Sequence, residues 1–167
     1  MQNKGDNNME EIVKEAMDKA IEESNKNINN EFTKGGPFGA AIVKDGEIIA
    51  TAHNTVIKSK DPTAHAEVNA IRKAAKILDT HDLTGCILFT SAEPCPMCLS
   101  AAIWANIKEI YYANTRQDAE DIGFRDDDIY DYLKGDKKNF VKMHHVRNKD
   151  AKEAFEEFDE AVNKEIY

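Results

Sequence analysis

Cysteine and long apolar segments are both scarce in this sequence of 167 residues. Its three cysteines are an odd number, which does not fit the disulfide framework of a small secreted protein. A helix that crosses a membrane needs about 18 consecutive apolar residues, and no such run occurs. The polar N-terminus also lacks the apolar stretch of a signal peptide. We therefore expect a cytoplasmic protein with no membrane partner.

Basic residues are scarce relative to acidic ones. The chain has 22 lysines and arginines against 31 aspartates and glutamates, a formal net charge of −9. Nucleic-acid-binding proteins concentrate basic residues on one face, so this balance argues against nucleic acid as a partner. The length and the 41% hydrophobic content suit one domain. We place it at residues 9–167, after a polar tail over residues 1–8 that we predict to be disordered.

The pattern of apolar residues predicts alternating helices and strands. Helical spacing indicates an amphipathic helix over about residues 9–28, and the dipeptide Asp45-Gly46 predicts a tight hairpin between two strands. Strands are predicted over residues 38–44, 47–53, 86–91, 109–113 and 140–146. Further helices are predicted over residues 63–78, 96–105, 117–122 and 150–164. Five strands alternating with helices indicate an α/β fold whose sheet lies between helices.

Two short motifs, His65-Ala66-Glu67 and Pro94-Cys95-Pro96-Met97-Cys98, contain the residues suited to metal chemistry. Zn²⁺ prefers imidazole and thiolate ligands, and catalytic sites use three protein ligands and leave a fourth position for water. His65, Cys95 and Cys98 supply that number. The two cysteines are three residues apart, which places both sulfur atoms on one face of a helix start that favours thiolates. The sequence therefore predicts one catalytic zinc ion.

Glu67 lies two residues after His65 and is not needed as a ligand. A carboxylate there can take a proton from a zinc-bound water, whose pKa falls to roughly 7, and pass it to a leaving amine. This combination predicts hydrolytic deamination of a heteroaromatic ring, with Glu67 as the catalytic residue. A C-x-x-C pair alone is also typical of a redox motif or of half a four-cysteine zinc site. Cys86 is the one remaining cysteine, so a single chain cannot supply four.

The two motifs resemble the H-x-E…P-C-x-x-C signature of the cytidine deaminase-like zinc deaminases. Within that superfamily, the chain is most similar to the small bacterial guanine deaminases, on residues 35–40, 61–67, 98–105 and 123–130 and on the final tyrosine. The resemblance implies a three-layer α/β/α fold with a central mixed sheet of five strands and one zinc ion per subunit. It also implies that the enzyme converts guanine to xanthine and ammonia in purine metabolism.

The resemblance further implies which residues contact the substrate. Asn54 corresponds to a side chain that hydrogen-bonds the purine ring, and two aromatic residues correspond to positions that line the ring pocket. Asp126 would read the amino group of guanine, although Asp127 and Asp128 leave its register open. The implied substrate contacts are Phe38, Asn54, Ala66, Trp104, Asp126 and Tyr167. Related enzymes are dimers in which a C-terminal segment, here about residues 147–167, crosses to the partner subunit and its last tyrosine covers the active site.

Other functions remain open at this point. Guanosine, cytosine or cytidine, and adenosine in tRNA are deaminated with the same kind of metal site and differ in the pocket that covers it. Outside enzymes, the chain fits a zinc-stabilised binding module. Ammonia release from a base distinguishes these classes, because a module with a structural zinc ion releases none.

Overall fold

The computed structural model of the protein describes residues 4–124, 126–137 and 140–166. They form two compact units, one up to residue 127 and one from residue 128. The first unit contains the sheet and all the residues predicted to bind zinc. No helix in the described part of the chain is long and apolar enough to cross a membrane.

The first unit is built on a mixed sheet of four strands. The strands are β1 (Gly39–Lys44), β2 (Glu47–His53), β3 (Cys86–Ala92) and β4 (Glu109–Asn114), in the spatial order β2-β1-β3-β4. β1 pairs antiparallel with β2 and with β3, and β3 pairs parallel with β4. It follows that β2, β3 and β4 run in the same direction. Their C-terminal ends therefore meet at one edge of the sheet, where ligand sites of α/β folds lie.

The fifth predicted strand, over residues 140–146, was wrong. The described sheet has four strands, and residues 140–146 have no strand structure. Apolar residues in this segment do not alternate, because Phe140 and Val141 are adjacent and two histidines follow Met143. The segment therefore has no single apolar face to bury, and its apolar side chains are exposed.

The hairpin that joins β1 to β2 confirms the prediction from Asp45-Gly46. Lys44 pairs with Glu47, so the loop has two residues. Asp45 and Gly46 have φ angles of 51° and 79°. Positive φ at both positions is the geometry of a turn whose twist matches that of the strands.

Helices cover both faces of the sheet, as the three-layer prediction requires. On one face, α1 (Lys4–Asn25) buries Ala16 and Ala20 against Ala41, Val43 and Phe89. α1 approaches β1 so closely that a Cβ atom on Gly39 would lie 2.0 Å from the carbonyl oxygen of Ala20. The helix begins five residues before the predicted start. The predicted disorder of the tail stays a prediction, and residues 1–3 of that tail lie outside the described residues.

Glu23, near the end of α1, connects this helix to β2. It is buried, and its carboxylate accepts hydrogen bonds from Thr51 Oγ1 at 2.7 Å and Lys26 Nζ at 2.7 Å and lies 2.9 Å from His53 Nδ1. Burial raises the pKa of Glu23, but these hydrogen bonds outweigh burial and leave the pKa below its ordinary value. The ionised form of Glu23 therefore stabilises the contact between α1 and β2.

On the opposite face, α3 (Ala66–Leu78) and α4 (Pro96–Trp104) pack against the sheet. Ala66, Ala70 and Ala74 lie four residues apart on α3 and are completely buried. Their small side chains allow the helix to lie close to Ile42 and Leu88 in the main apolar core. Two short helices, α2 (Val56–Ser59) and α5 (Arg116–Asp121), follow β2 and β4. α2 was not predicted.

The second unit consists of helices with no buried residue among those described. α6 spans Asp126–Lys134, so most of it belongs to this unit, and α7 spans Lys149–Glu160. α6 was not predicted, and α7 ends four residues before the predicted end. One side of α7 carries Phe155 and Phe158, and the Phe155 side chain is 81% exposed. Among the described residues, this helix therefore has an apolar side that is largely exposed.

Candidate active site

The three predicted zinc ligands lie at the starts of two helices. His65 is the N-cap residue of α3, Cys95 is the N-cap residue of α4, and Cys98 lies in the first turn of α4. His65 and Cys95 both have extended backbone angles, and neither side chain caps its own helix. Pro96 occupies the first helical position, where its missing N–H has no partner to lose. The side chains of His65 and Cys95 are therefore available to a ligand.

The distances among these side chains fit a tetrahedral zinc ion. His65 Nδ1 lies 3.7 Å from Cys95 Sγ and 3.5 Å from Cys98 Sγ. Ligand atoms about 2.3 Å (sulfur) and 2.05 Å (nitrogen) from a tetrahedral Zn²⁺ are separated by about 3.6 Å. One ligand atom from each residue lies within 4.8 Å of the others. In the described part of the chain, no other group of histidine, cysteine or acidic residues has this arrangement.

The thiols of this cluster influence one another's ionisation. A hydrogen bond from Cys98 lowers the pKa of Cys95, and His65 lowers it further against the opposing effect of burial. The same hydrogen bond, followed by burial, raises the pKa of Cys98. The hydrogen bond with Cys95 raises the pKa of His65 against the effect of burial. The cluster therefore contains a thiolate at neutral pH, and a cation there would favour a second one.

Glu67 lies in the first turn of α3, one position after the first residue of the helix. Only 6% of it is exposed, and it lines a narrow cavity together with His65 and Cys95. Burial raises the pKa of Glu67, and the nearby Cys95 thiolate raises it further. A buried acid with a raised pKa takes up a proton more readily than an exposed one, which suits a general acid and base.

Asn54 follows the last residue of β2 and lines the same cavity. The Oδ1 atom of Asn54 accepts hydrogen bonds from the backbone N–H groups of Gly36 at 3.3 Å and Val56 at 3.1 Å. Since the oxygen is used, the amide nitrogen is the group left for a ligand. Gly35 makes the contact possible, because a Cβ atom there would lie 2.3 Å from the carbonyl oxygen of Asn54.

Asp126 also lines this cavity and is partly buried. Burial raises its pKa, and the nearby Cys95 thiolate adds to the increase. Asp127 instead forms an ion pair with Arg116, whose Nε atom lies 3.1 Å from Asp127 Oδ1. Asp128 forms an ion pair with Lys137. Of the three candidate acids, Asp126 is therefore the one positioned beside the zinc cluster.

Two aromatic rings form one wall of the cavity. Phe38, which was predicted, makes an edge-to-face contact with Phe124 at a centroid distance of 4.7 Å. Phe124 also lines an adjoining apolar cavity of about 590 Å³, which Asn54 and His65 border as well. The sequence analysis did not name two residues that line the zinc cavity, Phe124 and Glu93. Glu93 accepts a hydrogen bond from the Arg116 backbone N–H at 3.0 Å. Both residues lie next to motif residues in the sequence, which is the one feature that could have indicated them.

The remaining predicted contacts differ in outcome. Ala66 begins α3 and is completely buried beside His65. Trp104 ends α4 with 65% of its surface exposed, and it is not among the residues that line the cavity. The contact of Trp104 with the substrate therefore stays a prediction. Tyr167 lies outside the described residues.

Comparison with known proteins matches this chain to deaminases. Residues 10–114 match the family described as the cytidine and deoxycytidylate deaminase zinc-binding region. The guanine deaminase of Bacillus subtilis is 54% identical over 123 residues, which cover 74% of this chain and 75% of that protein. A tRNA-specific adenosine deaminase of Aquifex aeolicus is 49% identical over 83 residues, 49% of this chain and 55% of that protein.

Solved structures agree with these matches. The crystal structure of the Bacillus subtilis guanine deaminase has a TM-score of 0.84 at 42% identity and covers 92% of this chain and 98% of its own. A guanine deaminase structure from Nitrosomonas europaea has a TM-score of 0.61 at 38% identity and covers 66% of this chain and 63% of its own. The chain therefore belongs to the cytidine and deoxycytidylate deaminase family, whose zinc-binding region it carries, and it is similar to the guanine deaminases within it.

Proposed function

We propose that the protein is a zinc-dependent hydrolase that converts guanine and water to xanthine and ammonia. The observation that carries this proposal is the cluster of His65, Cys95 and Cys98 at zinc-ligand distances beside the buried Glu67. The similarity to a guanine deaminase over most of both chains supports the choice of substrate. The reaction is proposed to take place in the cytoplasm, in one catalytic domain over residues 9–167.

His65, Cys95 and Cys98 would hold the metal. Three protein ligands would leave a fourth coordination position for water, as in a catalytic site and unlike a closed structural one. A zinc ion held there would lower the pKa of that water to roughly 7 and so supply the nucleophile.

Glu67 transfers the protons. Its carboxylate accepts a proton from the attacking water and donates one to the amino group that leaves C2 of guanine as ammonia. Burial raises the pKa of Glu67 and so favours the protonated state that the carboxyl group passes through between these two transfers. General acid and base catalysis of this kind contributes about 10²- to 10⁴-fold to the rate.

The other side chains of the cavity recognise the base. Guanine carries N–H donors on one edge and acceptors on another. Asp126 offers a carboxylate acceptor to the donor edge, and the amide nitrogen of Asn54 offers a donor to the acceptor edge. Phe38 and Phe124 supply the apolar surface that a flat ring requires.

The active unit is proposed to be a homodimer in which residues 147–167 cover the site of the partner subunit. The apolar side of α7 supports this, since Phe155 and Phe158 are exposed, as is Val162 two residues after the helix. In such a dimer, the exposed Trp104 and the terminal Tyr167 could contact the base in the site of the partner subunit. Size-exclusion chromatography with light scattering tests the dimer, and a monomeric active enzyme would contradict it.

The decisive experiment measures ammonia release by the zinc-loaded protein. Guanine, guanosine, cytosine, cytidine and adenine are tested in parallel with a tRNA substrate. We expect release from guanine to exceed the others by at least about 100-fold, because analogues leave buried polar groups of the site unpaired. Activity on another substrate alone would retain the deaminase and reject guanine. Silence on all of them, in a protein that unfolds when zinc is removed, would favour a zinc-stabilised binding module.

Asp126 and its neighbour provide a matched pair of variants for the substrate. Asp126→Asn removes the charged acceptor from the cavity, whereas Asp127→Asn alters an adjacent acid that faces Arg116. We expect Asp126→Asn to lower kcat/KM for guanine about 100-fold, from the loss of a hydrogen bond to a charged group. Asp127→Asn is expected to change it by less than about threefold. Equal effects of the two substitutions would reject Asp126 as the residue that reads the base.

A further inference from the structure

Asn27 is a buried polar residue that lies outside the cavity. It follows α1, its exposed fraction is 0%, and it does not appear among the residues that line the zinc cavity or the adjoining apolar cavity. Asparagine is seldom buried completely unless its amide is fully hydrogen-bonded. The partners of this amide therefore indicate what Asn27 does.

Both ends of the Asn27 amide have partners. Its Nδ2 atom donates to the backbone carbonyl oxygens of Gly36 and of Asn54, each at 2.8 Å. Its Oδ1 atom accepts a hydrogen bond from Asn30 Nδ2 at 3.3 Å. The two carbonyl groups belong to segments that are 9 and 27 residues further along the chain. Asn27 therefore joins three segments: the end of α1, the glycine loop before β1 and the end of β2.

Gly36 and Asn54, the two residues held by Asn27, also contact each other. The Gly36 N–H donates to Asn54 Oδ1, and the Asn54 N–H donates to the carbonyl oxygen of Phe38. The first of these bonds and the one from the Val56 N–H together hold the Oδ1 atom of Asn54, which leaves its amide nitrogen for the base. Displacement of Gly36 would remove one of these two donors and make it easier for the amide to rotate and present its oxygen. Asn27 thus holds the backbone on both sides of the contact that orients Asn54.

We propose that Asn27 is a positioning residue that keeps the amide nitrogen of Asn54 directed at the substrate. This inference rests on the proposed function, in which Asn54 donates a hydrogen bond to the purine. Only a side chain with two N–H donors satisfies both carbonyl groups from one point. Aspartate has no donor when ionised, and leucine has none at all.

The first test compares three proteins that carry zinc. Asn27→Leu keeps a similar volume and removes both donors, whereas Asn29→Ala removes an exposed asparagine two residues away and serves as the control. We expect Asn27→Leu to raise KM for guanine about tenfold and to change kcat by less than about threefold, because the hydrogen bond to the base contributes mainly to binding. Zinc content is expected to stay at one per chain. A lower kcat at unchanged KM would overturn the proposal.

A double-mutant cycle with Asn54→Ala separates positioning from general destabilisation. If Asn27 acts through the Asn54 amide, Asn27→Leu has almost no further effect on KM once that amide is gone. Independent tenfold increases that multiply in the double variant would overturn the proposal while leaving guanine deamination intact. Failure of the wild-type protein to release ammonia from guanine would instead reject the proposed function. Should Asn27→Leu not fold, Asn27→Ser, which retains one donor, is used in the same cycle, with a smaller expected increase in KM and the same criterion.

Discussion

Replacement of Glu67 by glutamine removes its proton-transfer capacity with little change in shape. Glutamate and glutamine side chains have nearly the same volume, so the substitution leaves no cavity at this buried position, where Glu67 is 6% exposed. Glu67 is proposed to take a proton from water and to return one to the leaving amine. If each transfer contributes at the low end of the usual range, about 100-fold, the two together predict a fall in kcat of about 10⁴-fold, or about 5 kcal/mol.

The electrostatics of the site predict a second effect of Glu67→Gln. Burial and the Cys95 thiolate both raise the pKa of Glu67, which means that its ionised form is destabilised in the folded protein. In the zinc-free protein, removal of the charge is therefore expected to leave thermal stability unchanged or slightly increased. The variant should be inactive and fully folded, with its zinc retained.

Steady-state ammonia release, zinc analysis and thermal melting together test this prediction. Glu93→Gln is the matched comparison, because it makes the same chemical change in an acid of the same cavity whose carboxylate accepts a backbone N–H. We expect it to lower kcat by less than about tenfold, since it loses only part of a hydrogen bond. A Glu67→Gln enzyme with more than a tenth of the wild-type kcat would refute the assignment of Glu67. So would an inactive protein that has lost its zinc.

Two further predictions concern the contacts of α1 with β1 and β2. Gly39→Ala places a methyl group 2.0 Å from the Ala20 backbone, so we expect a loss of about 3 kcal/mol in urea unfolding. Gly46→Ala, where nothing lies within 4 Å, should lose about 1 kcal/mol from its positive φ, and equal losses would contradict the packing argument. For Glu23, the lowered pKa means that its stabilisation is complete above the ordinary value of 4.5 and is lost as the pH falls through the folded pKa. Glu23→Gln should therefore cost about 1–3 kcal/mol at pH 7 and flatten the decline in stability below pH 4.5, and an unchanged acid profile would show that Glu23 is not responsible.

The zinc cluster and most of the fold follow from local sequence signals. Asp45-Gly46 has the backbone preferences of one turn type, and that turn is present. The spacing of His65, Cys95 and Cys98 reflects the demands of a single ion, so the ligands could be named before their geometry was known. Helices and strands with a strong period were also found, with ends that differ by a few residues.

The remaining features depend on contacts between distant segments. The exposed position of Trp104 follows from which side of α4 faces the core, and apolar character alone does not reveal it. The segment at residues 140–146 has strand-forming residues but no regular alternation. Asn27 looks like an ordinary residue after a helix, and its role depends on carbonyl groups up to 27 residues away. Such long-range partners are set by packing, which no short motif encodes.

The two halves of the zinc cluster also bear on how the protein folds. His65 and Cys95 are 30 residues apart, and the stretch between them contains α3 and β3, which contribute to the main core. An ion shared by both residues acts as a cross-link that closes this stretch into a loop. Closing a loop of 30 residues removes unfolded-state entropy equivalent to about 3.6 kcal/mol at 25 °C. Metal affinity and folding free energy are then thermodynamically linked. Substitutions that destabilise the core between the ligands should therefore also lower the affinity for the metal.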